Sequence, residues 1–202
     1  GARPDLHAGA GHSTLGYVAA APAATLGVCA FGAVEAGGLS ILPLWGLALG
    51  YDEPRAAWLL TAVGLGNVVL QIPLGLLADR VDKTRLLALA SLVGVIGAAL
   101  LPVAGASLPL TLALLFVWGG LTAGLYTVGL AALADRFHGS DLAGANAAFV
   151  AMYGVGMLIG PAAIGVGLDL SPGTGAPAVM AGLFALHLAA LAFLAATGRR
   201  TP

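Results

Sequence analysis

The chain reads as an all-α integral membrane protein of six transmembrane helices. Composition carries the first part of that reading. Of 202 residues, 59% are hydrophobic and 8% charged, and the mean hydropathy is +0.99. Soluble domains average roughly 45–50% apolar and about 25% charged residues, so no soluble fold of this size hides so much apolar surface. Spacing carries the second part. A helix needs about 20 mainly apolar residues to cross the hydrocarbon core. Six such segments are present, at roughly 16–49, 55–78, 84–104, 109–134, 142–168 and 177–197. The links between them (GYDEP, DRVDKTR, GASLP, DRFHGSD, DLSPGTGAP) carry the Gly, Pro, Asp and Ser that punctuate helices.

Taken in order, residues 1–15 (GARPDLHAGAGHSTL) are polar and rich in Gly and Pro, and read as a linker or tail. The first segment is long for one span. With Glu35, Gly37, Gly38 and Pro43 inside it, it is expected to tilt, kink or extend beyond the bilayer. Pro54 and Pro109 suit the first turn of the second and fourth segments, where a missing N–H costs nothing. Ser140-Asp141 offers an N-cap to the fifth. The bundle is expected over 16–197, with a short tail at 198–202. The 31 glycines let helices approach closely in lipid. The start at Gly1, with neither an initiator Met nor a signal-peptide pattern, reads as a fragment or a processed chain.

Charge sets the topology. In a six-span bundle, one side holds the N-terminal tail, the second and fourth links and the C-terminal tail. That side carries Arg3, Arg80, Lys83, Arg85, Arg136, Arg199 and Arg200, and the other only Arg55. The asymmetry predicts that both termini are cytoplasmic, in a plasma membrane (the inner membrane of a bacterium). The net charge of −1 argues against a nucleic-acid partner. Cys29 is the single cysteine, which excludes an intramolecular disulfide and a multi-cysteine metal site. No metal or cofactor is expected. There is no G-x-S-x-G and no H-E-x-x-H, and His7, His12, His138 and His187 do not cluster, so an intramembrane enzyme is not the reading.

Polar residues inside spans are expensive in lipid and normally face the bundle interior or a wet cavity. Span one has Glu35. Span two has Asn67 and Gln71, an i, i+4 pair on one face. Span four has Trp118, Thr122 and Tyr126. Span five has Asn146 and Tyr153, seven apart and so on one face. Span three has only Ser91, and the middle of span six only His187. Spans one, two, four and five therefore line a shared interior, while three and six face lipid. Asn67, Gln71, Thr122 and Asn146 have two readings, interhelical glue worth roughly 0.6 kcal/mol each or ligand contact. Trp118, Tyr126 and Tyr153 are either packing or interface aromatics or part of the cavity wall. His187 reads as a packed, hydrogen-bonded side chain. Glu35 is the only acidic residue well inside a span, where a charge costs about 2.5–3.5 kcal/mol. It is either a neutral acid bonded to a neighbour such as Asn67 or Tyr126, or a group that takes and gives a proton or holds a polar substrate.

One link stands out. Five of the 17 charged residues fall between Asp79 and Arg85. They can serve as a positive anchor on a tight turn. The spacing Gly75-x-x-x-Asp79-Arg80-x-x-Lys83-x-Arg85 also resembles the signature loop between the second and third spans of each half of a major facilitator superfamily (MFS) transporter. Asp82 stands where that signature has a glycine, and Thr84 interrupts the basic run. An echo, LADR, recurs at Leu133–Arg136. Gly156-x-x-x-Gly160-Pro161-x-x-x-Gly165 resembles the glycine-proline motif of the superfamily's fifth helix. LPLWGLALG and ADRFHGSDLAGANAAF resemble one branch of its small-molecule permeases.

The resemblance implies one six-helix half of a twelve-helix transporter, and the linker-like start points to the C-terminal half. It implies secondary active transport of a small molecule by alternating access, coupled to protons, with Gly75, Asp79, Arg80, Lys83 and Arg85 forming a conformational latch. Gly156, Gly160 and Gly165 would be packing sites and Pro161 a kink. The implied partners are the lipid bilayer, a small-molecule substrate, and an N-terminal half or a second copy. The alternative is a non-transporting membrane component or half-length relic acting only with a partner.

Overall fold

The computed structural model describes residues 13–198. Among them are eight helical segments and no strand: α1 (Thr14–Ala20), α2 (Pro22–Ala48), α3 (Glu53–Ala78), α4 (Lys83–Ala104), α5 (Leu108–Thr122), α6 (Gly124–Arg136), α7 (Gly139–Leu170) and α8 (Gly175–Ala196). α2, α3, α4, α7 and α8 are five apolar spans, α5 and α6 join as a sixth from Leu108 to Arg136, and the short α1 precedes them. The span count and the links match the sequence reading.

Local chemistry explains most of the ends. Asp52 and Asp82 cap α3 and α4, accepting hydrogen bonds from the amides of Arg55 at 2.9 Å and Arg85 at 2.8 Å. Pro54 and Pro109 sit in the first turns as expected. Pro43, Pro73, Pro102 and Pro161 each lie inside a continuous helix, as membrane helices tolerate when neighbours re-satisfy the backbone.

Three local expectations change. The first segment does break, but at Ala21 (φ −124°, ψ 58°) and not near Glu35, Gly37, Gly38 or Pro43. Pro22 disfavours helical geometry in the residue before it, and its own fixed φ opens a new helix. The segment upstream of the break is helical from Thr14, while the first long apolar span begins at Pro22. Residues 1–12 and 199–202 of the expected tails lie outside the described residues. The third change is at Ser140-Asp141. α7 starts at Gly139 with no side-chain cap, and Asp141 instead accepts a hydrogen bond from the Tyr17 hydroxyl at 2.9 Å. That bond docks α1 on the start of α7, with Phe137 edge-on to Tyr17.

α2 is the central helix. It packs most extensively on α7, and it also touches α3, α6 and α8. The other main pairs are α3 with α5 and α4 with α8. Small residues make these approaches possible. A Cβ on Gly156 would strike the Cys29 carbonyl oxygen, and one on Gly160 the Ala33 carbonyl oxygen. On α3, Gly66 faces the Phe116 carbonyl of α5 in the same way. At one end of the bundle, the Trp45 indole donates to the Gly173 carbonyl at 3.0 Å and the Tyr51 hydroxyl to the Gly105 carbonyl at 2.8 Å. The first ties the α7–α8 loop to α2, and the second ties the α2–α3 loop to the end of α4.

The two peripheral spans share one polar link. His187 of α8 is 3% exposed. Its Nε2 lies 3.0 Å from the Ala23 carbonyl oxygen and its Nδ1 2.7 Å from Ser91 Oγ. A carbonyl only accepts, so Nε2 carries the proton and Nδ1 accepts from Ser91. The outer faces of these helices are apolar, with Leu92, Ile96 and Leu100 on α4 and Leu186 and Phe193 on α8 exposed.

The glycine contacts give a stability test. Gly160→Ala should destabilise the protein by about 1–3 kcal/mol, because the methyl group overpacks against backbone that cannot yield. Gly182→Ala on α8 meets nothing within 4 Å and should be neutral, or stabilising by up to about 1 kcal/mol through helix propensity. Thermal unfolding in detergent micelles checks both, and equal effects would contradict the close α2–α7 contact.

Candidate functional site

Glu35 is the fourteenth of the 27 residues of α2 and therefore sits at its middle. Its side chain is half-buried. The Tyr153 hydroxyl, from α7, donates to Glu35 Oε2. This is the only hydrogen bond to the carboxylate among the described residues. Tyr153 is placed by aromatic neighbours on two sides. Phe31 stacks on it with ring centroids 6.4 Å apart, and Tyr126 of α6 meets it edge-on at 5.5 Å while also contacting Phe149.

Glu35 borders a cavity of about 160 Å³ between α2, α3 and α5. Phe31, Val34, Leu42, Leu60 and Val63 give it apolar walls, and Asn67 and Thr122 border it as well. At one end of the bundle is the Asp79–Arg85 link. Asp79 is the C-cap of α3 and is exposed, as are Arg80 and Arg85. Gly75, one turn earlier, has no atom of this chain near its Cβ direction. Lys83 Nζ reaches Asp135 Oδ2 at 2.6 Å, so the link binds the LADR echo at the end of α6.

A family model described as Major Facilitator Superfamily matches residues 23–202. The chain belongs to this superfamily. No curated protein and no solved structure matches it. Membership assigns the chain to transmembrane transport of a small molecule and supports its reading as an MFS half.

The MFS bundle sorts the sequence candidates by whether their polar atoms are already satisfied. Glu35, Asn67, Trp118 and Thr122 border one cavity, and Tyr153 and Tyr126 join it through Glu35. Thr122 is not free for a ligand, because its hydroxyl donates to the Trp118 and Gly119 carbonyls of its own helix. Such back-bonding bends helices, and α5 gives way to α6 at the next residue, Ala123. Trp118 borders the cavity, but its indole N–H donates to the Gly94 carbonyl on α4 at 3.0 Å and its ring meets Phe184 edge-on. Its ring belongs to the core.

Asn67 and Asn146 are half-buried and Gln71 is exposed. None of the three has a side-chain hydrogen bond among the described residues, so they are not glue within this half. Gln71 and Asn146 do not border the Glu35 cavity. Gly156 and Gly160 are packing sites. Gly165 makes only ordinary contact, with Ile41.

Two features were not anticipated from sequence. One is Phe31, a helical turn before Glu35 and in register with it. The other is Tyr153, rather than Asn67 or Tyr126, as the partner of Glu35. The i, i+4 spacing of Phe31 and Glu35 was the available signal for the first.

The Lys83–Asp135 pair is testable by a double-mutant cycle. Asp135 is 64% exposed, so solvent screens it, and the coupling energy should be about 0.2–1 kcal/mol. The exchange Lys83→Asp with Asp135→Lys should recover more thermal stability than either single change retains. No recovery would mean that the two ends of these helices are not coupled.

Proposed function

We propose that this chain is the C-terminal half of an MFS secondary transporter working by alternating access, with Glu35 as the coupling-proton carrier. The observation that carries the proposal is Glu35 itself. A carboxyl group lies at the middle of the central helix, on a cavity wall, with one neutral hydrogen-bond donor. Every described Lys and Arg sits at a helix end or in a link. A carboxyl group on a cavity that opens first to one side and then to the other can take up a proton on one side and release it on the other. Rocking of two halves about a site near the midplane supplies that cycle.

The unsatisfied polar groups support the partner half. Gly75, Asn67 and Gln71 recur along α3 at spacings of four, and no described residue hydrogen-bonds to the two amides. The facing half of the transporter, or a second copy, would cover them. Asp79 gives a second sign. A carboxylate at a helix C-terminus is repelled by the helix dipole, whereas one at an N-terminus is favoured. Asp79 is thus placed to latch onto a helix N-terminus in the other half, and Arg80 and Arg85 onto its carboxylates or onto lipid phosphates. The positive-inside asymmetry supports reading this link as cytoplasmic. Arg3, Arg199 and Arg200, which contribute to that asymmetry, lie outside the described residues.

Two substitutions separate the roles. In proteoliposomes of the intact transporter, Glu35→Gln should reduce pH-gradient-driven accumulation of labelled small molecules to the level of empty liposomes, while downhill exchange persists. Full gradient-driven accumulation by Glu35→Gln would remove the coupling role. Asp79→Asn should instead slow transport without changing substrate affinity, because it alters a conformational contact far from the cavity. Unchanged rates at normal expression would reduce the loop to a membrane anchor.

A further inference from the structure

On the transporter reading above, we infer that the Glu35 cavity takes organic cations, and that a cation and the coupling proton occupy the Glu35 carboxylate in turn. The charge balance of the cavity comes first. Glu35 is its only ionisable lining residue. Among the described residues, the two ion pairs, Arg55–Asp52 and Lys83–Asp135, are both at helix ends. An anionic substrate would meet a like charge here, with no compensating cation from the described residues.

The groups packed around Glu35 are neutral. α7 presents Tyr153, α6 presents Tyr126 behind it, α3 presents Asn67, and α5 presents Thr122 with its hydroxyl already engaged. The nearest titratable group on α2 itself is Cys29, on a helix face that packs on Gly156. α8 offers His187, which is held by Ser91 and Ala23. Its ring lies against α2 at Ala23 and Gly27, the latter about 12 Å of helix from Glu35. The ionisable residues of α4, Lys83 and Arg85, lie in its first turn.

Aromatic geometry adds a positive reason. The carboxylate lies between the Tyr153 hydroxyl and a cavity lined by Phe31, whose ring stacks on Tyr153 at an interplanar angle of 22°. Ring faces carry negative potential and attract cations within about 6 Å. Much of the remaining wall is aliphatic, with Asn67, Thr122 and Trp118 beside it. A carboxylate, aromatic side chains in the lining and an aliphatic wall together fit a quaternary or protonated amine with an apolar substituent. At about 160 Å³, this half alone offers the room of a cavity that holds one benzene-sized group.

Exclusive occupancy follows from the single charge. With a proton on Oε1 the site is neutral, and with a cation against the carboxylate it is neutral again. Empty and ionised, the carboxylate keeps only the Tyr153 hydroxyl as a partner among the described residues, which is the least compensated state. Turnover then exchanges one monovalent cation for one proton. The cation leaves on one side and a proton from that same side takes its place; the proton is released on the opposite side, which regenerates the carboxylate, so one positive charge crosses in each direction and no net charge is moved.

Benzyltrimethylammonium is the probe, because its charge is permanent and its own protonation cannot mimic the effect. It should bind the native protein in nanodiscs, and p-toluenesulfonate, a similar-sized anion, should not. Binding should strengthen with pH by up to tenfold per unit, since the proton is the competitor. Calorimetry in buffers of different ionisation enthalpy should show one proton released per cation bound at low pH. That readout needs no variant, so it stands even where Glu35→Gln fails to fold. Where it folds, Glu35→Gln should lose both the binding and the proton release. Binding of the anion, failure to bind the cation, or cation binding without proton release would overturn the inference. Accumulation in proteoliposomes is read separately. Cation binding with proton release but no accumulation would keep the site and discard the transport reading. Gradient-driven accumulation of anions alone would keep transport and discard the cation site.

Discussion

The approach of α7 onto α2 is the contact on which the rest of the bundle depends. Lipid supplies no hydrophobic force between helices, so association relies on close van der Waals contact. Gly156 and Gly160 bring the α7 backbone against the carbonyls of Cys29 and Ala33. Gly32 performs the same service in the other direction, since a Cβ there would strike Tyr153. These glycines fix the register of the two helices. With the register fixed, the Tyr153 hydroxyl meets Glu35 and its ring meets Phe31. The site is thus a consequence of small residues that carry no chemistry of their own.

Charge is layered around that contact. Acidic residues near the described helix ends do different work according to the end they occupy. Asp52 and Asp82 lie at helix N-termini and accept backbone amides. Asp135 lies near the end of α6 and is neutralised by Lys83. Asp79 lies at the end of α3 and is exposed, so its own helix gives it no stabilisation. The Asp82 that departs from the superfamily signature therefore has a local explanation as a helix cap, while Asp79 has none within this bundle.

The parts of the fold governed by length and local chemistry were legible in the sequence. The six spans follow from the bilayer thickness, and Pro54 and Pro109 mark their helix starts as expected. Sharing of a cavity by Glu35, Asn67 and Thr122 followed from the cost of polar groups in lipid. The features that were not legible depend on which way a side chain turns after the helices pack. Trp118 has cavity spacing but points its indole at Gly94. Asp141 has capping chemistry but is taken by Tyr17, 124 residues away. The break at Ala21 was overlooked because Pro22 lies inside a strongly apolar run, where hydropathy outweighs the proline signal. No single residue of either partner announces such pairings, since they are set by helix rotation.

Polar satisfaction divides the bundle into a fixed part and an open part. On the peripheral helices, Ser91 and His187 satisfy each other and the Ala23 carbonyl completes the set. Thr25 and Thr111 return their hydroxyls to nearby carbonyls. A chain that left polar groups unmatched at random would show orphans here as well. Instead, the amides without partners, Asn67, Gln71 and Asn146, lie on α3 and α7, and the carboxylate with a single donor lies on α2 between them. Unmet hydrogen-bonding capacity in an apolar solvent is costly unless something else meets it. Its concentration on the helices that flank Glu35, and its absence from α4 and α8, marks the side of the bundle that the proposed facing half, water or a bound molecule would complete.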